Sequence, residues 1–424
     1  MGTVANTPDV DAPRQVPRRT EVRILGGLMG TSALGGLGQL IGLTGTTLLI
    51  QELLGSKTWV GTGSFAMMGG TAVGAAVLTR RLGRNRRRPT LIGGYLVGAI
   101  GGVVVGLAAL WKWYPLVLIG LLMFGFGNTA SQQSRFAAAD VVPDARRGRA
   151  VSIVVWASTI GVVFGPKLWG PSGRFMERFG LTELGGPFVV GSAVYIMAAL
   201  ASAAVIRPDP REVSRLLRDD PTSAQSAAVD VRACLRRPAL QVAFATLVVG
   251  QVVMVAVMSV TSVHLKDHHY SADSIGTVIS AHVLGMYAPS PISGWLVDRL
   301  GRLPVVVGGC IVSMAGCVIA AAAHPENHAL MIAALFILGV GWNGTFVAGS
   351  TLTTDAVSPA ERPRIQAVAD MTTFLASGSA SLLAGFALEW SSYATMGVVG
   401  ACIAALYGVV ALAYRPRLAA QRTG

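Results

Sequence analysis

Charge is what this sequence has least of. Only 13% of its 424 residues are Asp, Glu, Lys or Arg, against roughly 25% in an average soluble protein, while 52% are hydrophobic. A core this apolar would leave a soluble fold without a polar surface, so the chain is expected to lie in a membrane. Cysteine is scarce as well. Cys234, Cys310, Cys317 and Cys402 fall in the second half without metal-ligand spacing, and three sit inside apolar runs as small buried hydrophobes. No disulfide framework can be argued from them, and no metal or cofactor is expected. No Ser/His/Asp or Cys/His set gathers in any loop, so an enzyme is not expected. A nucleotide-binding G-x-x-x-x-G-K-[ST] sequence is missing too. The first residues, MGTVANTPDVDAPRQVPRRT, lack the apolar stretch of a cleavable signal and read as a disordered tail.

What the chain does have is glycine, 52 residues of it, and a formal charge of +13. Glycine costs about 1 kcal/mol in an isolated helix, yet it lets membrane helices approach closely. The basic residues do not form stripes with interleaved aromatics, as nucleic-acid proteins show. They sit in short clusters between long apolar runs, as in the cytoplasmic loops of membrane proteins, so no nucleic-acid partner is expected.

A membrane span needs about 20 mainly apolar residues. Runs of that kind lie at 24–50, 58–78, 89–110, 114–138, 150–170 and 187–206, then at 239–263, 274–297, 304–323, 328–352, 365–388 and 394–413. The expected fold is therefore all-α and polytopic, with twelve transmembrane helices in two pseudo-symmetric six-helix bundles. The divisions are a tail (1–22), a first bundle (23–206), a polar linker (207–238), a second bundle (239–414) and a tail (415–424). With the N-terminus inside, 27 of the 34 Lys and Arg residues fall in inside segments and five in outside ones, which predicts cytoplasmic termini in a cell inner membrane.

The halves also repeat. AADVVPDARRGRA in the first matches TTDAVSPAERPRIQA in the second, each placing an Asp (Asp140, Asp355) at the membrane edge before a Pro turn and a basic cluster. LTRRLGR and LVDRLGR follow the second span of each half. Duplicated six-helix halves are a transporter architecture.

These residues resemble the major facilitator superfamily. Gly294-x-Leu296-x-Asp298-Arg299-x-Gly301-Arg302 matches its loop signature at every defining position. Physically, Gly294 lets helices touch, Gly301 makes a tight turn, and Asp298 with the arginines pins neighbouring helix ends. The first-half copy has Arg80 where the family has Asp, and Arg84 is expected to reach Asp140. Gly161-x-x-x-Gly165-Pro166 in the fifth span is similar to the Gly-Pro packing motif of proton-coupled drug antiporters, with Trp169 where that motif expects Gly and Gly170 one residue later. The arginine motif of the fourth span is not recognisable in IGLLMFGFG. The resemblance implies a central cavity lined by spans 1, 4, 7 and 10, whose interior residues here include Gln39, Asn128, Gln132, Gln251, Trp342 and Asn343, with Met254 and Phe346 adding apolar surface.

Asp370 is the one carboxylate clearly inside a span. It lies about 9 Å along its helix from Arg364, and Arg135 lies about 7–8 Å from Asp140. Ionisable groups at mid-helix cost at least ~2.5 kcal/mol on insertion scales. In the resembled family the ends of spans 4–5 and 10–11 meet when the cavity opens outward, which makes Arg135 and Asp370 candidates to pair across that gate, loosened by protonation. The alternatives are that Arg135 snorkels to the interface or that Asp370 bonds within its own half. Burial favours a neutral carboxyl and a guanidinium favours a charged one, so proton affinity would differ between conformations. Lys167 reads as an interface anchor, with a substrate counter-charge as the alternative, and His282 as a hydrogen-bonding packing residue, with proton carriage as the alternative. The expected function is proton-coupled export of small amphipathic molecules by a monomer, with import of a metabolite by symport as the alternative. Sodium in place of protons stays compatible with a single carboxylate.

Overall fold

The computed structural model describes residues 17–78, 86–143, 146–217, 230–324, 326–358 and 361–414. The first half holds α1 (Arg18–Leu54), α2 (Gly61–Val77), α3 (Arg88–Leu110), α4 (Tyr114–Val141), α5 (Arg147–Glu177) and α6 (Gly186–Val205). Two short helices follow, α7 (Pro210–Leu217) and α8 (Val231–Cys234). The second half holds α9 (Pro238–Asp267), α10 (Ala272–Tyr287), α11 (Ser290–Leu300), α12 (Arg302–Ala322), α13 (His328–Asp355), α14 (Arg362–Trp390) and α15 (Tyr393–Ala413). Ten of the described helices are long and apolar enough to cross a membrane. The remaining two crossings are α2, at 17 residues, and the pair α10–α11, one span broken in the middle.

Punctuation in the sequence sets these boundaries. Proline stands at the first turn of α3, α4, α6, α9, α11 and α14, where its missing N–H breaks no bond. Gly55 closes α1 with φ +63°, a left-handed cap that suits glycine. Ser392 and Thr395 form a reciprocal capping box at the start of α15.

The two halves pack alike. The pairs α3–α4, α3–α6, α2–α4, α1–α5 and α1–α4 recur as α12–α13, α12–α15, α10–α13, α9–α14 and α9–α13. Glycine makes this possible: a Cβ at Gly161 would lie 1.9 Å from the Ala33 carbonyl oxygen, so α5 rides directly on the backbone of α1. Large apolar side chains such as Ile100, Leu200, Val398 and Leu406 point outward instead, which is the arrangement a lipid surface requires. The halves join mainly through α2–α14 and α5–α10.

Three boundaries differ from expectation. α1 begins at Arg18, inside the stretch read as a tail, where Glu21 is held by Arg146, the residue just before α5, in two bonds (2.8 and 3.1 Å). The eighth span is broken at Ala288–Pro289, since Pro289 cannot donate the bond that would continue the helix. Part of the linker is docked rather than free. Asp209 is buried and accepts the backbone N–H groups of Arg87 (3.0 Å) and Arg88 (2.9 Å), capping α3 from another segment.

On the second half the linker is anchored by Arg237, which makes two bonds to Glu361 (2.8 and 3.0 Å). Glu361 also accepts from the N–H and hydroxyl of Ser358 and from the Cys234 thiol. The Arg237 guanidinium first, then the Ser358 N–H and the Cys234 thiol, hold the Glu361 carboxyl down from 4.5 to about 2. A depressed carboxylate stabilises the fold fully above its unfolded value, and that contribution fades as pH falls toward the folded one. Thermal melts of detergent-solubilised protein should therefore show Glu361→Gln less stable than the wild type above about pH 4.5. The gap should narrow through the acid window and vanish near pH 2; a gap independent of pH would contradict this role.

Candidate functional site

Call the face carrying Arg18 and Ala413 the terminal face and the other the far face. At the far face the halves are sealed. Lys57 pairs with Asp267 at 2.5 Å and Arg174 with Asp273 at 3.1 Å. Deeper in the seam the Thr47 and Ser262 hydroxyls meet at 3.1 Å. Backbones touch there as well: a Cβ at Gly61 would lie 2.0 Å from the Ser381 carbonyl oxygen, and one at Gly276 2.3 Å from that of Pro166.

Nearer the terminal face, among the described residues, one ion pair crosses between the halves. Arg135 of α4 donates Nη2 to Oδ2 of Asp370 on α14. The Asp370 side chain keeps 37% of its exposure, so water reaches the carboxylate. The pair was expected in an outward-open form, but here it coexists with a sealed far face. Both residues lie inward of the described helix ends, Arg135 six residues before Val141 and Asp370 eight after Arg362.

The proposed cavity residues divide into two groups. Gln251 accepts from the Trp342 indole N–H (2.8 Å) and donates to the Ser377 hydroxyl (3.2 Å), tying α9, α13 and α14 together. Ser377 lies two turns beyond Asp370 on α14, hence on the same helix face. Trp342 stacks on Phe346 with ring centroids 4.7 Å apart, and Tyr287 meets it edge-on at 6.1 Å. Asn128 and Gln132 of α4 are half-buried, Asn128 lying 3.5 Å from the Thr71 hydroxyl. Gln39 and Asn343 do not belong with these. Gln39 is 3% exposed and accepts from the Tyr195 hydroxyl at 2.8 Å, deep in the first bundle. Asn343 is 1% exposed and bonded wholly to the broken eighth span. Both were placed on the cavity by helix number alone, which does not say which way a side chain turns.

The loop residues also sort themselves. Arg302 donates to Asp355 at 2.8 Å. In the first half Asp140 is buried and takes Arg87 at 2.9 Å, with Arg211 of the linker at 3.6 Å; Arg84, expected there, lies outside the described residues. Gly301 turns the chain at φ +90°, a region that favours glycine. Asp298 is exposed, and Arg299 lies over the Trp295 ring at 5.1 Å. A Cβ on Gly294 would meet nothing within 4 Å, so the close helix contact expected there is not made. Gly165 packs against Leu40, and α5 runs through Pro166 without a break. Lys167 is exposed; His282 is buried with Nδ1 2.7 Å from the Leu335 carbonyl oxygen.

Two six-helix bundles that seal at one face around a charged central seam define a secondary transporter working by alternating access. The Major Facilitator Superfamily family model matches residues 28–271 and 242–424, and the chain belongs to that family. It is 31% identical over 396 residues to the MFS-type transporter YddS of Bacillus subtilis, covering 92% of this chain and 90% of that one. It is 29% identical over 328 residues to the riboflavin transporter RfnT of Brucella anthropi, covering 76% and 77%. Among solved structures the fold is similar to the xylose transporter XylE of E. coli in a partially occluded inward-open conformation. There the TM-score is 0.69 at 15% identity, over 92% of this chain and 97% of that one.

Proposed function

We propose that this transporter is proton-coupled and exports small amphipathic molecules from the cytoplasm, with its terminal face cytoplasmic. The Arg135–Asp370 pair carries the coupling half of this reading. A carboxylate paired across the two halves holds the cytoplasmic floor closed; neutralised by a proton, it releases the arginine and lets the floor open. Arg135 and Asp370 thus form the coupling gate. Arg87–Asp140 and Arg302–Asp355 brace the loop ends of each half, and Gly301 makes the turn between α11 and α12, beside the exposed Asp298 and Arg299. The Gly161, Gly165 and Pro166 run holds α5 in close packing against α1.

The aromatic wall of Trp342 and Phe346, with Gln251, Asn128 and Gln132, would receive the solute by stacking and neutral hydrogen bonds. The strong positive bias of the loops supports cytoplasmic termini. Expression in a host stripped of its efflux pumps tests direction: export predicts raised resistance to an amphipathic toxic compound and faster loss of a preloaded fluorescent dye when the proton gradient is intact. Unchanged resistance and dye loss would overturn it.

A second reading, uptake of a planar heteroaromatic metabolite, is favoured by the riboflavin-transporting relative and by the same stacking wall. Proton-dependent accumulation of labelled riboflavin in proteoliposomes would select it.

A further inference from the structure

The eighth span has two unlike arms. α10 is locked in place. A Cβ at Gly285 would sit 2.3 Å from the Phe336 carbonyl oxygen and one at Gly339 2.4 Å from that of His282, so α10 and α13 touch backbone to backbone. Its far end also carries the seam contacts of Asp273 and Gly276 with α5. α11, beyond Ala288–Pro289, is packed far more lightly. Ile292, Trp295 and Leu300 are exposed, open space surrounds Gly294, and only Ser293 and Val297 are buried.

One side chain spans the break. Asn343 of α13 donates to the Met286 carbonyl oxygen (2.7 Å) above it and to the Ser290 hydroxyl (2.8 Å) below, and accepts from the Ser293 hydroxyl (2.6 Å). The Met286 carbonyl is one that a continuous helix would use four residues on, at the Ser290 N–H. The amide takes the place of that rung, so the Met286 carbonyl keeps a partner where Asn343 is buried. Among the described residues the first half shows no such device: α2 is continuous over Gly61–Val77, and Asn128 lies 3.5 Å from the Thr71 hydroxyl.

We propose that Asn343 is a positioning residue that splints the eighth span at this break, setting the angle at which α11 carries the Asp298–Arg302 loop, and that α11 moves as a unit separate from α10 when the terminal face opens. The rigid arm keeps the far-face seam and the hinged arm serves the loop at the other end. This holds whichever direction the solute travels.

The test uses the full-length protein in lipid nanodiscs, with Cys402 replaced by Ser and spin labels at cysteines introduced in pairs. One pair joins Trp295 on α11 to Leu406 on α15, the other Leu284 on α10 to Leu406; all three positions are exposed. Asn343→Ala should broaden or shift the first pulsed-EPR distance distribution and leave the second unchanged. The double substitution S290A/S293A, which keeps Asn343 but removes its partners below the break, should do the same and serves if Asn343→Ala fails to fold. An unaltered first distance would overturn the proposal. So would matched changes in both distances, since those would mean a loosened bundle rather than a hinge.

Discussion

Replacing Asp370 with Asn is expected to abolish gradient-driven accumulation or extrusion while leaving solute exchange in the absence of a gradient largely intact. Asparagine keeps the size and a hydrogen-bond acceptor for Arg135 but binds no proton, so the step that ties floor opening to protonation disappears. The pair itself is a charge-assisted bond, about 1.5–3 kcal/mol when well shielded. With Asp370 more than a third exposed, solvent screening brings that to about 1 kcal/mol, roughly a fivefold shift toward the inward-open form. Two readouts are therefore expected to separate. Coupling should vanish outright, and the conformational balance should move only severalfold. Proteoliposomes with and without an imposed pH gradient measure the first; accessibility of a cysteine introduced at Gln132 to a maleimide applied from the terminal face measures the second. Arg135→Ala should reproduce the second effect, because it frees the floor, while leaving a carboxyl able to bind protons. Equal gradient-driven rates in wild type and Asp370→Asn would remove the proton from this site.

The architecture was legible because the bilayer imposes it. Apolar runs of span length, a basic bias in alternate loops and two copies of an Asp–Pro–Arg segment each have a physical cause that acts on sequence directly. The Arg135–Asp370 contact was legible for a related reason: opposite charges are so costly in the apolar slab that two at equal depth, one per half, tend to meet. Rotation about the helix axis was not legible. Gln39 and Asn343 sit on helices expected to line the cavity, yet both turn into their own bundles, toward Tyr195 and toward Ser290 and Ser293. A signal existed for Asn343: Pro289 in the middle of an apolar run, followed by Ser290 and Ser293, marks a break whose backbone needs a polar partner from a neighbour. The Arg87–Asp140 pair had no such signal, since six arginines crowd 80–88; in the structure Asp209 docks on the Arg87 and Arg88 amides, which holds Arg87 beside Asp140.

The seam at the far face offers the sharpest lever on the transport cycle. Gly61→Val and Gly276→Leu should each hold that face open, because any Cβ there drives into a backbone carbonyl of the opposite half, Ser381 or Pro166, and backbone cannot step aside as a flexible side chain would. Overpacking of this kind costs about 1–3 kcal/mol, a factor of roughly 5–150 in the ratio of sealed to open forms. The cost falls on the sealed form alone, since in the open form the two backbones have separated. Transport should drop by a comparable factor while the protein remains folded. A cysteine at Thr47, whose hydroxyl lies against Ser262 in the sealed seam, should become reactive toward a membrane-impermeant maleimide added from the far side. Gly69 supplies the control on the same helix as Gly61, because a Cβ there meets nothing within 4 Å; Gly69→Ala should leave both labelling and transport near wild type. If Gly61→Val lowers transport without exposing position 47, the loss arises inside the first bundle and the seam is not the element that switches.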